Sequence, residues 1–171
     1  MSGYVHVYTG DGKGKTTAAL GLALRAAGAG WNVFFAQFAK PSGSSEFDAL
    51  GRLADRITVR QFGLPEWIRP RAKAADCEAA AAGLAQCAAA ITSQRYRLVV
   101  LDEANLGPML GLFPVEALLE LIDSRPDDVE IVLTGRWAHP RVLERADLVT
   151  EMREVKHYYQ RGVPARLGIE C

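Results

Sequence analysis

The sequence predicts an α/β fold with a mostly parallel central sheet and helices on both faces. Three observations carry that prediction. Short runs rich in β-formers alternate with helical patterns along the chain, a glycine-rich loop joins the first such run to the first helical pattern, and a continuous apolar run, Leu98 to Leu101, ends in Asp102-Glu103. With 171 residues, 49% of them hydrophobic, the chain can bury one substantial core, so a single domain over residues 1–171 is expected.

Tyr4 to Tyr8 is short, rich in β-formers and reads as the first buried strand, with His6 as a packed strand residue. Thr9-Gly10-Asp11-Gly12-Lys13-Gly14-Lys15-Thr16-Thr17 follows. Closely spaced glycines let successive backbone N–H groups turn inward toward an anion. Lys15 adds a full positive charge, and Thr16, in the first helical turn, places a hydroxyl for Mg²⁺ while the helix N-terminus faces the same phosphates. The usual spacing G-x-x-x-x-G-K-[ST] is not fully met: five before Gly14 stands Thr9, and the glycine comes one place later, at Gly10. A tight βα connection is the plain alternative, but Gly-Lys-Thr in strand-then-helix context favours phosphate binding. The helix should run from Lys15 to about Ala27 on an alanine-rich face, ended by Gly28 to Gly30, with Arg25 near its C-terminus as a cation favoured by the dipole.

Trp31 to Phe38 reads as a second buried strand with Gln37 as its polar exception, followed by a loop at 40–45 and a short helix at Glu46 to Leu53. Ile57 to Phe62 reads as a third strand. Beyond it lies an irregular segment, 63–70, and its aromatics Phe62 and Trp67 are equally readable as core or as the wall of a ligand site. Arg71 to Ser93, alanine-rich and free of proline, predicts a long helix. The 98–101 run then resembles a central parallel strand delivering carboxylates to its C-terminal edge, where a metal site is favoured over a solvated turn. A helix at Pro114 to Asp123, a strand at Val129 to Leu133 ending in Thr134-Gly135-Arg136, a helix from His139-Pro140 to Arg145, and strands at Asp147 to Met152 and Ala165 to Ile169 complete the pattern. Arg136 thereby falls on the edge that carries the glycine loop, either as a phosphate clamp or in a surface ion pair.

Twenty basic and twenty acidic residues leave no overall field to recruit nucleic acid or anionic lipid. Three cysteines without a C-x-x-C pair argue against a zinc ribbon or a disulfide framework. No leader pattern precedes the first strand and no run is long and apolar enough to span a membrane, so a cytoplasmic protein is expected.

Taken in order, the glycine loop, Gln37-Phe38, Leu101-Asp102-Glu103, Leu133-Thr134-Gly135-Arg136 with His139, and Val155-Lys156-His157 resemble the P-loop ATP:corrinoid adenosyltransferases. The resemblance covers almost the whole chain, to Gly168-Ile169-Glu170, and includes the shifted loop glycine. It implies a P-loop NTPase-like fold and transfer of the 5′-deoxyadenosyl group of ATP to the cobalt of a reduced corrinoid, with triphosphate leaving. It further implies Mg²⁺ or a similar divalent ion, a homodimer, a cobalt-reducing partner, and a nucleotide lying reversed relative to ordinary P-loop ATPases. The corrinoid would be cobalamin, cobinamide or cobyrinic acid a,c-diamide. Nucleotide contacts carried over are Thr9, Gly10, Asp11, Gly12, Lys13, Gly14, Lys15, Thr16, Thr17, Arg25 and Gln37. Lys15, Glu103 and Arg136 would stabilise the reacting phosphates, and Thr16 and Glu103 would hold the metal. Members acting on complete cobalamin carry a Phe-Thr-Trp segment beside the corrinoid; here Phe62 and Trp67 lie in that region, separated by Gly-Leu-Pro-Glu. The short lead before the first strand implies no N-terminal arm over the site. The rival expectations are a P-loop ATPase or small-molecule kinase, and a nucleotide-regulated corrinoid-binding protein without catalysis.

Overall fold

A computed structural model describes residues 2–39, 45–63 and 72–170. Strands β1 (Val5–Thr9), β2 (Val33–Phe38), β3 (Ile57–Phe62), β4 (Leu98–Asp102), β5 (Glu130–Thr134) and β6 (Leu148–Glu151) form one sheet in the order β3-β2-β4-β5-β1-β6, and every pairing is parallel. All C-terminal strand ends therefore meet along one edge. The glycine loop after β1 and the carboxylates after β4 are two strands apart, about 10 Å, with β5 between them.

One face of the sheet is covered by helices α1 (Lys15–Gly28) and α2 (Ser45–Gly51); their Ala19, Ala23, Ala26 and Leu50 pack with Phe35, Val100 and Val132. Alanine at these positions lets α1 lie close to strands buried on both sides. The opposite face is covered by α3 (Ala74–Thr92), α5 (Val115–Asp123) and α6 (Pro140–Arg145), whose Ala80, Cys87, Ile91, Leu118, Ile122 and Val142 pack with Phe34, Phe38, Val99, Leu101 and Leu133. A one-turn helix α4 (Gly107–Leu110) precedes α5. The expected two-faced α/β architecture is present.

The long helix begins at Ala74, where the Asp76 carboxylate accepts from the Lys73 amide at 2.8 Å and closes its first turn. The strand expected at Ala165 to Ile169 does not form. Ile169 and Glu170 amides instead donate to the Arg166 carbonyl, and this local bonding closes a turn rather than leaving an extended edge.

Candidate functional site

The glycine loop fits tightly against the end of β6. Gly10 has φ 94°, and the Gly12 amide donates to the Met152 carbonyl at 2.7 Å. A Cβ at Gly10 would stand 2.4 Å from that carbonyl oxygen, and one at Gly12 would stand 2.7 Å away. This contact explains why the glycine stands at position 10: the positive φ and the close approach to Met152 both fall there, while Thr9 remains the last residue of β1. Lys15, only 7% exposed, places its ammonium at the centre of the loop and donates to the carbonyls of Gly10 (2.7 Å) and Gly12 (2.8 Å). Arg136 reaches across from β5 and donates to the Asp11 carbonyl at 3.2 Å.

On the other side of β5, Asp102 is fully buried and Glu103 begins the turn that leaves the sheet. Glu103 adopts φ 60°, ψ 13°. The left-handed region costs a residue with a Cβ about 1–2 kcal/mol, a strain held in place by surrounding contacts. One of them is the bond from the Glu103 amide to Thr134 Oγ1 at 3.0 Å.

Residues 11–17, Glu103 and Arg136, among others, border one cleft of about 810 Å³. That volume lies within the usual range of small-molecule sites. Three of the expected components, the loop, the acid and the arginine, come together from three strand ends. A family model described as ATP:corrinoid adenosyltransferase BtuR/CobO/CobP matches residues 1–171. The chain belongs to the ATP:corrinoid adenosyltransferase family. As a member, it is an enzyme that transfers the adenosyl group of ATP to a corrinoid. Curated relatives include a corrinoid adenosyltransferase of Salmonella typhimurium, 36% identical over 171 residues that cover 98% of this chain and 85% of the relative. One from Pseudomonas aeruginosa is 34% identical over 169 residues, covering 98% and 83%. Another, from Escherichia coli K12, is 32% identical over 178 residues, covering 98% and 85%.

Other residues expected at the adenosyltransferase site lie elsewhere. Gln37 is 1% exposed, and both ends of its amide are engaged with neighbouring strands, Nε2 donating to Asp102 at 2.8 Å and Oε1 accepting from Gln61 at 2.9 Å. It sits behind Asp102 rather than on the cleft wall. Arg25 is exposed in the last turn of α1, ten residues beyond Lys15 and so about 15 Å along the helix, away from the loop. The hydroxyl pKa of Tyr8 is raised by burial and by Glu130, with the Arg25 charge acting the other way. Thr9 accepts from the Ala138 amide at 3.4 Å and braces the base of the cleft. Phe62 belongs to the core: it is 9% exposed, its ring centroid lies 5.6 Å from that of Phe38, and it packs over Gly83 of α3. The inward face of β3 at that position is closed by α3, so Phe62 packs in the core here. Trp67 lies outside the described residues.

The cleft also contains residues to which sequence reasoning assigned no role. Trp137 follows Arg136, is 56% exposed and has φ 54°; His157 and the 168–170 tail complete the rim. Lys13 Nζ donates to the Ile169 carbonyl at 2.6 Å, a contact across 156 positions that no local pattern encodes. Among the described residues no group of three or more His, Cys, Asp or Glu could hold a metal by itself. Thr16 and Glu103 both line the cleft. Mg²⁺ is commonly held by one or two protein oxygens together with water and substrate phosphates, so this pair fits an ion that arrives with the nucleotide.

Proposed function

We propose that the cleft binds ATP with its triphosphate on the loop 10–17 and presents C5′ to the Co(I) centre of a reduced corrinoid, releasing inorganic triphosphate. The carrying observation is the convergence of the loop, Glu103 and Arg136 on one cleft. Low-valent cobalt attacks with its own electron pair, so no side chain has to remove a proton from the nucleophile. The protein's task is then to position C5′ and to stabilise charge gathering on the leaving triphosphate. Lys15 is placed for this: its ammonium already sits inside the loop on the Gly10 and Gly12 carbonyls, where phosphate oxygens would compete for its donors. Lys13 and Arg136 add two further cations at the rim, and the α1 N-terminus points the same way. Thr16 and Glu103 would hold a magnesium or similar ion, which when bound supplies neutralisation of the phosphate charge.

The assembly we propose is a homodimer in the cytoplasm, where the free thiols Cys77 and Cys87 stay reduced, working with a cobalt-reducing partner. Incubation with ATP, Mg²⁺ and chemically reduced cobalamin, cobinamide or cobyrinic acid a,c-diamide tests the reaction. Cobalt alkylation followed by absorbance, with equimolar triphosphate, is the expected result. Phosphate as the main product without triphosphate would instead identify a P-loop ATPase or kinase. Corrinoid binding without ATP consumption would identify a carrier.

A further inference from the structure

A row of buried or half-buried polar side chains crosses four adjacent strands just beneath the cleft. Gln61 on β3 and Gln37 on β2 are register partners, as are Gln37 and Asp102 on β4. Gln61 Nε2 donates to Gln37 Oε1 at 2.9 Å, and Gln37 Nε2 donates to Asp102 Oδ2 at 2.8 Å. From the far side Thr134 Oγ1 on β5 donates to Asp102 Oδ1 at 2.6 Å. The last link is the Glu103 amide on Thr134 Oγ1 at 3.0 Å.

The direction of each bond is determined by chemistry. A backbone N–H can only donate, so the Thr134 oxygen accepts from Glu103, and the single hydroxyl hydrogen is left for Asp102. The Gln37 amide cannot be flipped, because its oxygen must face the Gln61 donor and its nitrogen must face Asp102. Each acceptor faces a donor, and the row ends on the peptide of the residue that carries the metal carboxylate. Glu103 occupies a left-handed conformation there, over Gly135, where a Cβ would come within 3.4 Å of the Glu103 Cα.

We propose that Thr134 is a positioning residue for Glu103, acting as the terminal link of the Gln61-Gln37-Asp102-Thr134 row that holds the Glu103 peptide in its strained turn and aims the carboxylate into the cleft. Asp102 serves as the anchor of that row and not as a ligand. This rests on the reading of Glu103 as a metal carboxylate. Outer-shell partners that orient a ligand commonly change metal affinity by about 10- to 100-fold when removed.

The test is equilibrium binding of ATP by calorimetry across a Mg²⁺ titration and in EDTA, for wild type, Thr134→Val, Thr134→Ser and Glu103→Gln. Thr134→Val keeps the shape and removes the hydroxyl. It is expected to raise the Mg²⁺ concentration needed for tight ATP binding on the order of tenfold, to leave metal-free ATP affinity unchanged, and to be rescued by Thr134→Ser. A wild-type Mg²⁺ dependence in Thr134→Val, alongside a shifted one in Glu103→Gln, overturns the positioning role alone. No shift in Glu103→Gln overturns the metal reading, and this proposal with it. Should Thr134→Val fail to fold by circular dichroism, Gln37→Met, which removes the donor on the other Asp102 oxygen, is read in the same way: a shifted Mg²⁺ dependence supports the row and an unchanged one overturns it.

Discussion

Replacing Lys15 with alanine separates two tasks that this side chain performs. Its ammonium bonds the Gly10 and Gly12 carbonyls at 2.7 and 2.8 Å in the nucleotide-free loop, and it is the buried cation of the cleft wall. Loss of the loop contacts should cost about 1–3 kcal/mol of stability, and at about 2–4 °C per kcal/mol for a chain of this size the melting temperature should fall by roughly 2–12 °C. The protein remains folded at 25 °C, because Lys15 lies at the edge of the sheet and contributes nothing to either apolar layer. A hydrogen bond to a charged group is worth about 1.5–3 kcal/mol, so ATP affinity should fall about 10- to 150-fold. Turnover at saturating ATP should fall further, by about 10²–10³, because the donor faces charge that develops only as triphosphate departs. Calorimetric ATP binding and cobalt alkylation, both with excess Mg²⁺, read the two effects separately. Wild-type affinity and rate in a folded Lys15→Ala protein would refute the assignment of this loop to the triphosphate.

Three further outcomes are expected. Phe62→Ala should lower stability by about 3–5 kcal/mol as a core truncation while leaving the corrinoid KM unchanged below its melting range; a stable variant with a raised corrinoid KM would return Phe62 to the substrate wall. Trp137→Ala should change stability by no more than about 0.5 kcal/mol, since the side chain is 56% exposed, yet raise the KM of a substrate whose ring packs on the indole; unchanged KM values for ATP and corrinoid would make Trp137 a bystander. Burial pushes the Cys87 thiol up to about 12 from 9.0, so its contribution to stability is complete below pH 9 and is lost as pH rises from 9 toward 12, the unfolded thiol ionising first. The urea midpoint should fall over that range, and the part of the fall that disappears in Cys87→Ala reports this thiol; an identical fall in both proteins contradicts it.

Most of the fold was legible in the chain, and so was the glycine loop proposed to hold the nucleotide. The first strand, the glycine loop and α1 are contiguous, so the proposed phosphate cradle is written within about twenty-five residues, and its chemistry follows from residue type and spacing. The resemblance carried by the ordered motifs pointed to the corrinoid reaction, which the full-length family match supports. Three of the expected site residues stand where no local pattern could have placed them. Gln37 and Phe62 sit on strands, where position in sequence gives the alternation of faces but not what covers each face; α3 closes over Phe62, and Asp102 captures Gln37. Arg25 shares a helix with Lys15, but the helix carries it away from the loop at 1.5 Å per residue.

The amino-acid sequence by itself determined most of the elements, the glycine-rich loop and the family, because each depends on periodicity or on chemistry within a short stretch. Tertiary structure alone decided which of the polar residues meet. The strand order puts β5 between β4 and β1, so Thr134 comes to stand between Asp102 and the Glu103 peptide across 32 and 31 positions of chain. The path of the C-terminal tail, outside the sheet, brings the Ile169 carbonyl onto Lys13. Hydrogen bonds of this kind form between neighbours in space, and in a parallel sheet whose strands are joined by helical crossovers those neighbours are remote in sequence.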